Sequence, residues 1–133
     1  MKNKKSHKLW ERAQNVFPGG VNSPVRAFRS VGGEPVFIAQ GAGTYVTDAD
    51  GHEYVDFLSS WGPLILGHAP RKVVKAIRSA AKRGSTFGAT TRAEVDLGEF
   101  ILDRLPFAER LRFVNSGTEA VMTALRLARG ITG

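Results

Sequence analysis

Apolar positions along the chain change their rhythm repeatedly. From Ser6 to Phe17 the residues Leu9, Trp10, Ala13, Val16 and Phe17 recur at the spacing of one helical face, with Ser6 as N-cap and Pro18-Gly19-Gly20 as a stop. Val21 to Phe28 carries neither the helical nor the strand period and reads as an ordered loop holding one arginine, Arg26. After Gly32-Gly33 the pattern shortens to Val36–Ala39, Thr44–Thr47 and Tyr54–Phe57, separated by Gly41-Ala42-Gly43 and Asp48-Ala49-Asp50-Gly51. β-Branched and aromatic residues between such turn formers predict a three-stranded antiparallel meander.

Helical spacing then returns. Ser59 to His68 forms an apolar loop with Gly62-Pro63 and Gly67 as hinges. A helix is predicted from Pro70, with Val73, Val74, Ile77, Ala80 and Ala81 as a stripe facing a core and Gly84 as its cap. A Thr91/Glu94 capping box opens the next helix, which bears Val95, Ile101, Leu102 and Leu105 and is stopped by Pro106. Leu111, Phe113 and Val114 read as a strand, followed by a polar turn and a helix ending at Arg129. A lone strand of this kind needs parallel neighbours to bury both its faces. The pattern is therefore expected to be the amino-terminal portion of a longer α/β protein.

The turn Asn115-Ser116-Gly117-Thr118-Glu119-Ala120 is open to two readings. Backbone N–H groups and the positive end of a helix dipole, beside small hydroxyl-bearing side chains, suit an anion such as a phosphate. Ser116 and Glu119 equally form an S-x-x-E capping box that needs no ligand.

Composition narrows the remaining chemistry. The 133 residues are 42% hydrophobic and 23% charged, the balance of a soluble globular chain with one modest core. Cysteine is absent, which excludes thiolate catalysis and disulfides, and His7, His52 and His68 have no metal-ligand spacing. Asp48, Asp50 and His52 read as turn chemistry. The net charge of +7 is dispersed between the leader Met1-Lys2-Asn3-Lys4-Lys5, expected to fray, and the polar face of the helix after Pro70. No nucleic-acid motif accompanies it, so nucleic acid is not expected as a partner. The leader has no apolar core of a signal peptide, and no membrane span is expected.

Four motifs in register carry a resemblance: Val21-Asn22-Ser23-Pro24-Val25-Arg26, Ser60-Trp61-Gly62-Pro63-Leu64-Ile65-Leu66-Gly67-His68, Phe87-Gly88-Ala89, and Asn115 to Ala120 with Arg126-Leu127-Ala128-Arg129-Gly130. Together they resemble the opening part of the glutamate-1-semialdehyde 2,1-aminomutases, fold-type-I pyridoxal-phosphate enzymes of the class-III aminotransferase group, over about residues 6 to 133. The resemblance implies an α/β fold-type-I architecture, with residues 1–60 in the small domain and 61–133 opening the large cofactor domain. It implies conversion of glutamate-1-semialdehyde, a small amino-aldehyde, to 5-aminolevulinate for tetrapyrrole synthesis, in a cytoplasmic homodimer. The cofactor would cycle between pyridoxal and pyridoxamine phosphate. Ser116, Gly117 and Thr118 would hold its phosphate, Arg26 would grip the substrate carboxylate with help from Ser23, and Trp61 would line the substrate pocket.

The family's cofactor-linking lysine and its pyridine-pairing aspartate are expected beyond Gly133, so no catalytic residue is assigned and the chain alone is expected to be inactive. Thr90-Thr91-Arg92 stands where the family more usually has Pro-Thr-Glu, and Val121 where Thr is common. Arg92 reverses a charge at a helix start, where the dipole favours acids. Two alternatives stay open: another class-III aminotransferase acting on an ω-amino substrate, and a non-catalytic module that pairs through its apolar helices.

Overall fold

A computed structural model describes residues 4–133. Met1–Asn3, and with them most of the leader expected to fray, lie outside the described residues. The chain divides into two compact units, Met1–Ser85 and Thr86–Gly133.

The first unit opens with helix α1 (Lys4–Gln14), followed by a 3-10 turn at Pro18–Gly20. Ser6 is not its cap, contrary to the expectation. It sits inside the first turn, buried, and the orphan N–H groups of Lys5 and Ser6 donate instead to the two oxygens of Asp50, at 2.8 and 2.9 Å. The cap comes from 44 residues away, which no local pattern reveals. Trp10 packs on the turn that ends the helix: a Cβ at Gly20 would lie 2.3 Å from its ring.

The meander forms as expected, with strands β1 (Ile38–Ala42), β2 (Tyr45–Asp48) and β3 (Glu53–Val55) antiparallel in the order β1-β2-β3. Its first strand runs further than the pattern predicts. Gly41 and Ala42, read as a separator, pair with Val46 and Tyr45, and the register slips between Ile38 and Gln40. At the β2–β3 turn, Gly51 has φ +93°, a conformation that favours glycine.

Asp48 is the polar hub of this unit. Only 2% exposed, it accepts hydrogen bonds from the backbone N–H of Asp50 and His52, the His52 ring and the Tyr54 hydroxyl, all at 2.8–2.9 Å. Burial pushes its carboxyl up, but these hydrogen bonds together outweigh burial and hold it well below the usual carboxylate range. The hydrogen bond to Asp48 in turn raises the Tyr54 hydroxyl. Asp48, Asp50 and His52 thus act as turn and anchor chemistry.

Helix α2 (Arg71–Ala81) follows Pro70 as expected. It does not face a core: none of its residues is buried, and Ile77 is 62% exposed. Its amphipathic stripe stays largely open to solvent.

The second unit holds helices α3 (Arg92–Leu102) and α4 (Gly117–Thr132). The backbone N–H of Thr91 donates to Glu94 at 2.7 Å, closing that arm of the predicted capping box. Arg92 finds Asp96 one turn on, at 3.3 Å, an exposed pair that offsets its unfavourable place at the helix start only weakly. The strand expected at residues 111–114 carries no ladder hydrogen bonds; a strand buried on both faces forms only beside neighbours, and the one sheet among the described residues belongs to the first unit. No residue of α3 or α4 is buried, so Val95, Phe100, Val121, Met122 and Leu125 leave apolar stripes open. No helix among the described residues is long and apolar enough to cross a membrane.

Candidate functional site

Three turns carry the residues singled out by sequence. Ser23 and Arg26 share the first. Pro24 at the start of a 3-10 turn, Pro24–Ala27, fixes its entry, and the residue before proline is extended as sterics require: Ser23 has φ −151°, ψ 125°. Arg26 N–H donates to the Ser23 carbonyl at 3.0 Å, and buried Ala27 anchors the turn from inside. The Arg26 guanidinium is exposed and has no carboxylate or carbonyl partner among the described residues. A cation presented this way, on a backbone held by proline, is ready for a planar carboxylate.

Trp61 stands on the second turn, Ser59–Trp61, 66% exposed. Three consecutive residues without a glycine adopt left-handed backbone there: Ser59 at φ 48°, Ser60 at 54° and Trp61 at 65°. Each such residue costs roughly 1–2 kcal/mol, so the turn exists only because its surroundings hold it. Asp56 supplies part of that hold. Its Oδ1 accepts from the N–H groups of Leu58 and Ser59 at 2.8 and 3.0 Å, and its Oδ2 lies 2.7 Å from His68 Nε2. The His68 hydrogen bond, then those backbone N–H groups, hold the Asp56 carboxyl below its ordinary value. Asp56 was not singled out from sequence, and His68 entered only as the end of a motif and as a histidine without metal-ligand spacing; Gly41, read as a separator, proves to lie in β1, where a glycine marks close approach.

Ser116, Gly117 and Thr118 form the third turn, in the Thr86–Gly133 unit. One arm of the capping box forms, with Glu119 N–H donating to Ser116 Oγ at 3.2 Å, while the Glu119 carboxylate reaches one residue past the N-cap and accepts from the Asn115 N–H at 2.7 Å. The Ser116 hydroxyl also donates to Glu119, at 3.3 Å. The backbone N–H groups of Gly117 and Thr118 and the Thr118 hydroxyl keep no hydrogen-bond partner among the described residues. These donors converge at the positive end of the 16-residue α4, so capping and anion binding are compatible, with different atoms doing each. Nothing lies within 4 Å of a Cβ built on Gly117, which leaves room for a ligand oxygen to approach the backbone.

The fold is that of an aminotransferase, and the family model for class-III aminotransferases matches residues 28–132; the chain belongs to that family. Within it, the chain is similar to the glutamate-1-semialdehyde 2,1-aminomutase of Aquifex aeolicus, 57% identical over 129 residues, 97% of this chain and 30% of that protein. Among solved structures it is similar to a β-phenylalanine aminotransferase from Variovorax paradoxus, with a TM-score of 0.90, 34% identity and coverage of 98% of this chain and 30% of that one. A transaminase with PLP bound matches with a TM-score of 0.87 at 43% identity, over 97% of this chain and 30% of its own. The chain spans about 30% of the length of the curated relatives it matches.

Proposed function

We propose that this chain is the part of a glutamate-1-semialdehyde 2,1-aminomutase that supplies the substrate-carboxylate grip and the cofactor-phosphate turn. In this reading residues 1–60 belong to the small domain and 61–133 open the large one. Pyridoxal or pyridoxamine phosphate, when bound, supplies the carbonyl or amine that accepts and returns the migrating amino group.

The chain's own residues do the holding. Gly117 and Thr118 offer two N–H donors and a hydroxyl to the phosphate, while Ser116 fixes the helix start that aims them. Arg26 grips the substrate carboxylate as a fork, with Ser23 beside it, and Trp61 lines the substrate pocket. The reading extends to a homodimer in the cytoplasm acting on a small amino-aldehyde.

The observation that carries this reading is the unpaired Arg26 on its proline-fixed turn. Charge-assisted bidentate contacts are worth about 1.5–3 kcal/mol, so Arg26→Ala in the full-length protein should raise KM for glutamate-1-semialdehyde about 100-fold, with Arg26→Lys in between. An unchanged KM would remove the carboxylate grip from the reading. A class-III aminotransferase acting on an ω-amine that lacks this carboxylate would show that indifference.

A further inference from the structure

We infer that Asp56, His68 and Gly41 form a clamp that holds the Trp61 turn in its left-handed shape, making Asp56 and His68 positioning residues for the substrate pocket. The inference rests on the proposed role of Trp61 in that pocket.

The loop from Leu58 to Gly67 is closed at both ends onto one place in the fold, the tight turn between β1 and β2. At its start, Asp56 N–H donates to the Thr44 carbonyl at 2.8 Å. At its end, His68 and Gly43 exchange both backbone hydrogen bonds, at 2.7 and 3.0 Å. The Asp56 and His68 side chains then meet across the gap at 2.7 Å, so the loop's two ends, each tied to the β1–β2 turn, are also joined to each other.

Two glycines make that approach possible. A Cβ on Gly41 would lie 2.6 Å from the His68 ring, and one on Gly67 would lie 2.6 Å from the Gly43 carbonyl oxygen. Neither neighbour is the far end of a flexible side chain that could swing away.

Inside the loop the hydrogen bonds run short-range: Trp61 N–H to Leu58, Gly62 and Leu64 N–H to Ser59. The Asp56 carboxylate fixes the Leu58 and Ser59 amides from which that ladder starts. Remove the carboxylate or its histidine and the left-handed triplet loses the contacts that outweigh its strain. Trp61 then leaves its place, and substrate binding weakens before the chemical step does.

The test is steady-state kinetics of the full-length protein. Asp56→Ala and His68→Ala are each expected to raise KM for glutamate-1-semialdehyde about tenfold or more while kcat stays within about threefold. Ser59→Gly with Ser60→Gly supplies the decisive rescue, because glycine adopts left-handed backbone without the Cβ penalty. Added to His68→Ala, the two glycines should recover most of the lost KM. A KM that stays at wild-type in the alanine variants, or rises with no recovery from the glycines, overturns the clamp. If the alanine variants do not fold, Asp56→Asn and His68→Gln are read in the same way. Trp61→Ala separates the two readings. A wild-type KM there sinks the pocket role of Trp61, whereas a raised KM beside unaffected Asp56 and His68 variants sinks the clamp alone.

Discussion

The Trp61 turn and the Ser116 turn reach defined shapes by opposite routes. At Ser116 everything needed lies within five residues: a serine accepts from Glu119, Glu119 reaches back to Asn115, and the backbone has no strain. At Trp61 the local sequence opposes the observed shape, since two serines and a tryptophan occupy left-handed backbone, and partners from Gly41 to His68 impose it. A turn held by its neighbours in sequence survives the loss of distant contacts. One held by distant contacts can be aimed where local preference would not send it, and fails when any of them is removed.

The largest expected contrast comes from acid. Asp48, Asp50 and Asp56 all titrate below their ordinary value, so the stability they contribute is fully present above about pH 4 and is lost as pH falls through their depressed folded values. Hydrogen exchange of the β2 and β3 amides should therefore stay slow from pH 7 to about pH 4, after correction for intrinsic rates, and accelerate only below. Asp48→Asn should flatten that dependence. Protection lost already between pH 6 and 5 would contradict the hub.

Gly41→Val is the next largest. Overpacking against His68 should cost about 2 kcal/mol, seen as roughly 30-fold faster exchange at the Gly43 and His68 amides. Ser116→Ala should cost about 1 kcal/mol through its cap, read as fraying of α4 by NMR, with no change at the Trp61 turn. Loss of protection at both turns would erase the distinction between them. The smallest effect belongs to Gly117→Ala, within roughly 0.5 kcal/mol on stability because its Cβ meets open space. In the full-length protein the same change should nonetheless weaken pyridoxal phosphate, by crowding the N–H groups that face the phosphate. Unchanged cofactor affinity would leave the turn a cap and nothing more.

The helices show the same division on a larger scale. α2, α3 and α4 form where periodicity, Pro70 and the Thr91 and Ser116 caps predict them, because helix hydrogen bonds close within four residues. Their stripes at Ile77, Val95 and Leu125 were legible as faces that want burial, but in this chain they stay open. The segment 111–114 likewise has the composition of a strand and no ladder, since a strand's hydrogen bonds belong to its neighbours.

Sequence by itself determined what short-range forces decide: the helix positions, the meander order, the proline-fixed Arg26 turn and the Ser116 cap. Its motifs in register also carried the family. Tertiary structure alone decided that Asp50 caps α1 and that Asp56 meets His68 over Gly41. Each of these joins groups that the chain must fold back to bring together, and nothing in the spacing of residues encodes a contact that only closure creates.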